Sequence, residues 1–125
     1  MSLTLIEAIN RVDVLKPNSY TQEDKIGWLS TLDGMIKSQI IDTHEDSELI
    51  PFEEYNEDTP LDTELIAKAP YDEMYINWLE SKIDYNNGEY AKYNNSILRF
   101  NDVFKLFEND YNRRHMPLGT KIKFF

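Results

Sequence analysis

The chain has 125 residues and no cysteine, a length that suits one domain with a single core and a composition that removes disulfides, thiolate metal sites and cysteine nucleophiles. The net charge is −10. Residues 113–125 hold Arg113, Arg114, Lys121 and Lys123 and no acid (+4), so the other 112 residues carry −10 − 4 = −14, and such a body repels nucleic-acid phosphates rather than gripping them.

The pattern "TLIEAINRVDVL" predicts a first helix. Thr4 and Glu7 have capping-box spacing, and Leu5, Ile9 and Val12 form an apolar stripe. "KPNSY" stops it, since Pro17 cannot continue a helix and Asn18 and Ser19 suit a turn. Thr21 opens a second helix, with Glu23 and Asp24 in the first turn, where the macrodipole favours acids. Ile26, Leu29, Leu32, Ile36 and Ile40 mark its inner face, leaving Trp28 and Met35 on the flanks. Gly27 and Gly34 lie on one side of this helix, where a second helix could approach closely.

From His44 to Asp62 no helical period persists. "EDSELIPFEEYNED" holds seven acids together with Leu49, Ile50, Phe52 and Tyr55, which predicts an ordered acidic loop with a short extended piece over residues 49–55. Thr59-Pro60 has the start signal of a short helix anchored by Leu61, Leu65 and Ile66. Pro70 opens the last element. Tyr71, Met74, Tyr75, Trp78, Leu79 and Ile83 continue after Gly88 as Tyr90, Tyr93, Ile97, Phe100, Phe104, Phe107 and Tyr111. Residues 70–114 therefore read as one helix bent at Gly88, roughly 67 Å long at 1.5 Å per residue. Pro117 and Gly119 end it, and "KIKFF" alternates like a short strand.

The expected fold is all-α: a small bundle of three to four helices, with a long C-terminal helix and an acidic loop between the second and third. Residues 1–117 make the helical domain and 118–125 a basic, apolar tail meant for another surface. No apolar run reaches the length of a membrane span and no signal-peptide pattern opens the chain.

Catalytic chemistry finds little support. His44 and His115 lack partners at zinc-ligand spacing; His44 reads as a helix C-terminal histidine. Glu45 with Glu48, and Glu54 with Glu57, have the spacing of acids that hold Mg²⁺ in all-α nucleotide hydrolases, but both pairs fall in the loop, where nothing makes them converge. Neither a nucleophile elbow nor a phosphate-cradling glycine loop is present. The expectation is a protein that is not an enzyme and uses no cofactor or metal. "YNNGEYAKYNNS" repeats Tyr85-Asn86 as Tyr93-Asn94, eight residues on and on nearly the same side of the predicted helix. With Asn101, these asparagines make a polar seam beside the apolar stripe, which suits packing between subunits.

Taken in order, "EAINRVDVLKPNSYTQEDKIGWLSTLDGMI", "PYDEMY", "IDYN", "YNNS" and "YNRRHMP" resemble the head–tail connector (adaptor) proteins of tailed phages and Firmicutes prophages over roughly residues 3–117. The resemblance implies a structural virion protein without enzymatic activity. It implies a ring, a dodecamer in the virion, that sits beneath the portal protein, extends the DNA channel without binding DNA specifically, and receives the next head-completion or tail protein. It places the chain in the host cytoplasm during assembly and then at the head–tail junction. Subunit contacts are expected at Trp28, Tyr85, Asn86, Tyr93 and Asn94, and portal docking at Lys121, Ile122, Lys123, Phe124 and Phe125. The same acidic charge suits a second reading, a phage-encoded DNA mimic that inhibits a host DNA-binding protein. That reading needs acids spaced like phosphates along one face, whereas these cluster in a loop.

Overall fold

The computed structural model describes residues 3–118, and the predicted portal-docking residues 121–125 lie outside that range. Four helices follow one another, α1 (Leu5–Leu15), α2 (Gln22–Gln39), α3 (Glu73–Asn86) and α4 (Tyr90–Arg114). Two 3-10 turns, Ile41–Thr43 and Ser47–Leu49, follow α2. The all-α bundle with a long last helix and an acidic connection between the second and third helices is observed. Among the described residues no helix is long and apolar enough to cross a membrane.

Local chemistry sets the first two helices. Thr4 Oγ1 accepts from the Glu7 amide while Glu7 Oε1 accepts from the Thr4 amide, and Thr21 and Asp24 form the same reciprocal pair at the start of α2. Such caps satisfy amides that have no partner within the helix. The Leu5 and Ile6 amides, also in the first turn of α1, donate instead to the carbonyls of Thr63 and Leu61 at 3.0 and 3.1 Å.

Those two bonds explain why the helix expected after Pro60 is absent. Leu65 N–H donates to the Leu3 carbonyl at 2.8 Å, and Thr4 and Glu64 form an antiparallel bridge. Residues 61–65, a turn at 61–62 followed by the bridged chain of 63–65, thus lie as a strap along the start of α1, and the Leu61 and Thr63 carbonyls and the Leu65 amide serve that segment rather than a helix of their own. Residues 49–55 form no strand; the connection runs through the second 3-10 turn and then as irregular chain. The expected close helix approach at Gly27 and Gly34 is also absent. A Cβ at Gly27 would meet nothing within 4 Å, and at Gly34 it would meet the Phe52 ring at 3.6 Å. That face of α2 is covered in part by the acidic connection.

The continuous helix over residues 70–114 is corrected to a hairpin. Gly88 has φ +76°, the left-handed conformation that ends helices. The Gly88 amide donates to the Tyr85 carbonyl at 3.1 Å and the Glu89 amide to the Asp84 carbonyl at 2.9 Å. This is the paired Schellman pattern, and it closes α3 outright. The chain reverses, and α4 runs antiparallel to α3: Trp78 meets Phe100 at 5.0 Å between ring centroids and Tyr71 meets Phe107 at 5.8 Å.

The helix α3 is the centre of the molecule, with α1 and α2 packed on one side and α4 on the other. Leu5, Val12, Leu29, Leu32, Ile36, Leu65, Met74, Leu79 and Ile83 are fully or almost fully buried. Polar side chains complete this core: all buried side-chain nitrogens and oxygens of the described residues are hydrogen-bonded.

Candidate assembly surface

Two buried carboxylates position the surfaces that face outward. Asp33 lies on the inner face of α2 with no exposure. Its Oδ1 accepts from Tyr75 Oη of α3 at 2.6 Å; its Oδ2 accepts from Tyr55 Oη at 2.6 Å and from the Ile66 amide at 3.1 Å. Tyr75 Oη also accepts from the Ala67 amide at 2.7 Å, and Ser30 Oγ accepts from the Tyr55 amide at 3.0 Å. The Asp33–Tyr75 pair thereby fastens the chain on either side of the strap, at Tyr55 before it and at residues 66–67 after it, to α2 and α3. Burial raises the Asp33 carboxyl above its usual value, against the lowering effect of the three donors. The Tyr75 phenol is also held well above its usual value, first by burial and then by the Asp33 charge.

Asp84, also fully buried, sits near the end of α3. Lys16 Nζ from the end of α1 donates to its Oδ1 at 2.6 Å, and Ser96 Oγ from α4 donates to its Oδ2 at 2.8 Å. The carboxylate therefore joins three helices close to the hairpin tip.

At the tip the Tyr85 ring meets Tyr90 at 5.8 Å and Tyr93 at 5.3 Å, both edge to face. Tyr85 and Tyr90 are more than half exposed and Tyr93 is half-buried. Tyr20 Oη donates to Asn87 Oδ1 at 2.7 Å and the Tyr20 ring packs edge-on against Trp28 at 5.5 Å. Of the residues expected at a subunit contact, Tyr85 and Tyr93 are brought together, though across a turn rather than along one helix. Trp28 is half-buried, its ring packed on Tyr20 and its backbone carbonyl accepting from Trp78 Nε1 at 2.8 Å. Asn86 and Asn94 are exposed, with Asn86 Nδ2 donating to the Lys82 carbonyl of its own helix. Asn86 of α3 and Asn94 and Asn101 of α4 are exposed, on two antiparallel helices rather than along one continuous helix.

The outer side of α4 holds residues which pattern reading passed over. Leu98 and Leu106 are 60% and 58% exposed, among the exposed asparagines Asn94, Asn95, Asn101 and Asn109. Their offset from the Phe100–Phe104–Phe107 stripe was the available signal. Val14 and Leu15 at the end of α1 are exposed as well.

The acidic connection presents a different surface. Glu45, Asp46, Glu48, Glu53, Glu54, Glu57 and Asp58 all face solvent. The neighbouring Glu57 carboxyl, by hydrogen bonding and then by its charge, holds Glu23 above the usual carboxylate range. Among the described residues, no three His, Asp or Glu side chains converge as a ligand set for a metal ion. His44 stands at the end of the first 3-10 turn, buried, with Nε2 hydrogen-bonded to Asn112 of α4 at 2.7 Å. Its ring packs edge-on against Tyr111 at 4.8 Å, and Tyr111 stacks on His115 at 3.9 Å. These histidines tie the lower end of α4 to the core. Comparison of the chain with protein-family models, with curated proteins and with solved structures found no match.

Proposed function

We propose that the protein is a structural subunit of a phage head–tail junction, a connector that closes into a ring beneath the portal, extends the DNA channel and joins the head to the tail. The observation that carries this reading is the outer face of α4. A solvated helix face is ordinarily furnished with Glu, Lys and Arg, which favour helices, whereas asparagine disfavours them. Here Leu98 and Leu106 stand exposed among four asparagines. Exposed leucines and short amides suit the centre of a protein–protein contact, and the exposed Arg99, Asp102 and Lys105 beside them suit its charged rim.

A ring needs one surface of each subunit to fit a different surface of the next. The outer face of α4 and the tyrosine cluster at the hairpin tip offer two such surfaces. The exposed acids of the connection suit a wall past which DNA slides without adhering. The order of motifs over residues 3–117 supports the same role, and the absence of a nucleophile arrangement in the sequence is in keeping with a structural part.

The test is electron microscopy of the protein mixed with the portal protein of its own phage or prophage. A ring of added density on the portal is expected. A Leu98→Glu/Leu106→Glu variant, shown to be helical by circular dichroism, is expected to leave the portal bare. Portal images unchanged by the wild-type protein would overturn the reading.

A further inference from the structure

Beside the lower end of α4 lies a cavity of about 260 Å³. Three rings form much of its wall. Tyr71, just before α3, meets Phe107 of α4 at 5.8 Å, and Phe107 meets Tyr111 at 6.0 Å. Ile41 and Ile66 supply aliphatic wall. An engineered apolar cavity of about 150 Å³ accepts benzene, and ligand sites in general run from about 300 Å³ upward. The space here therefore suits one ring or two fused rings and is small for a nucleotide. A further ring would extend the array of edge contacts already present, which favours an aromatic group over an aliphatic chain.

The charged groups that line this cavity are mainly cationic. Lys68 and Arg114 stand there with one acid, Asp110. Two guanidiniums already hold that acid, Arg113 at 3.2 Å and Arg114 at 3.0 Å, so its charge is more than answered. Lys68 is exposed and has no ion-pair partner among the described residues. Two acids act on the same wall from outside: the Tyr111 phenol is raised by burial and then by the charges of Asp46 and Asp42. Asp42 is paired with Lys37 at 2.9 Å. Asp46 is exposed, so solvent and salt screen its effect on an anion. The chain as a whole carries −10, and a local excess of cations at an apolar cavity stands out against it.

We propose that this cavity binds a small aromatic carboxylate, with its one or two rings seated among Tyr71, Phe107 and Tyr111 and its carboxylate at the opening, toward Lys68 and the Arg113–Arg114 pair. The inference stands apart from the connector reading, because its test uses the isolated protein and no portal.

Methyl NMR of the full chain, titrated with naphthalene-2-carboxylate, decides it. Ile41, Ile50 and Ile66 line the cavity, and the ring is expected to displace their δ1 methyl signals, saturating with a dissociation constant below about 1 mM. The methyls of Ile9 and Ile26, buried in the core, are expected to stay in place. Naphthalene-2-methanol has the same rings without the charge and is expected to bind about fivefold more weakly. Lys68→Gln alters an exposed side chain, so the fold is expected to persist, as unchanged Ile9 and Ile26 signals would verify, and the gap between acid and alcohol is expected to narrow. Displacements that fail to saturate by about 10 mM, that reach Ile9 and Ile26 equally, or that are the same for acid and alcohol would overturn the proposal, as would a gap undiminished in Lys68→Gln.

Discussion

The two sides of α3 are built differently. On the α1–α2 side, the Asp33 network joins two helices and the connection between them through hydrogen bonds centred on a fully buried carboxylate. On the other side, α4 is a 25-residue helix with only Ser96, Phe100, Phe107 and Tyr111 fully buried, whereas eight of the fourteen residues of α3 are buried. A buried carboxylate demands its partners in fixed places and so dictates backbone positions. A single apolar stripe holds a helix in place but leaves most of its surface uncommitted. The first side is the rigid body; the second carries the surface available to partners.

The comparison breaks most severely at Asp33. Asp33→Ala leaves the buried Tyr75 phenol, the half-buried Tyr55 phenol and the Ile66 amide without their acceptor, and unfolding by urea is expected to show a loss of roughly 3–5 kcal/mol. Asp33 also predicts a pH dependence. Its folded-state pKa lies above the unfolded value, so its contribution to stability is fully present below the unfolded value and is lost as pH rises through the folded one. Stability measured across that window is expected to fall with rising pH more steeply in the wild type than in Asp33→Asn. Equal slopes would show that the carboxyl does not titrate as its burial implies.

A smaller effect is expected where the two sides meet. Lys16→Met removes the cation from Asp84 and leaves the buried carboxylate with Ser96 alone. Lys16 is 23% exposed, which screens the pair, so a loss of about 2 kcal/mol is expected in the same titration. Gly88→Ala puts a Cβ at φ +76°, where nothing lies within 4 Å, so the cost is backbone strain of about 1–2 kcal/mol and no clash. At the small end, Leu98→Glu and Leu106→Glu are expected to change stability by less than about 0.5 kcal/mol, because neither side chain is committed to the core. A large loss of stability there would show that the outer face of α4 supports the fold and is not a free surface.

The helical reading succeeded where neighbouring residues settle the structure. Thr4 with Glu7 and Thr21 with Glu23 and Asp24 announce helix starts whatever surrounds them, and the stripes of Leu5–Ile9–Val12 and Leu29–Leu32–Ile36 face inward as their spacing requires. Asn87-Gly88 was just as local a signal, a glycine one step past the end of a helix, but the apolar rhythm continuing on both sides outweighed it. Both halves of a helix hairpin carry the same period, so periodicity alone cannot register the reversal. Asp33 could have been noticed as well, an acid on the inner face of α2 between Leu29 and Ile36. Its partners could not, since Tyr55, Ile66 and Tyr75 lie 22, 33 and 42 residues away.

By itself the sequence determined the helix starts, the apolar faces, the acidic connection and the charge of the whole chain. All of these follow from interactions between residues a few positions apart, or from composition. Only the tertiary structure decided that the last predicted helix is two, that residues 61–65 serve α1 as a strap, and which asparagines and leucines face outward. Each of these turns on a contact between distant segments: the first turn of α1 drawing its acceptors from Leu61 and Thr63, Asp33 collecting donors from two elements, and α4 folding back on α3 once Gly88 lets the chain reverse.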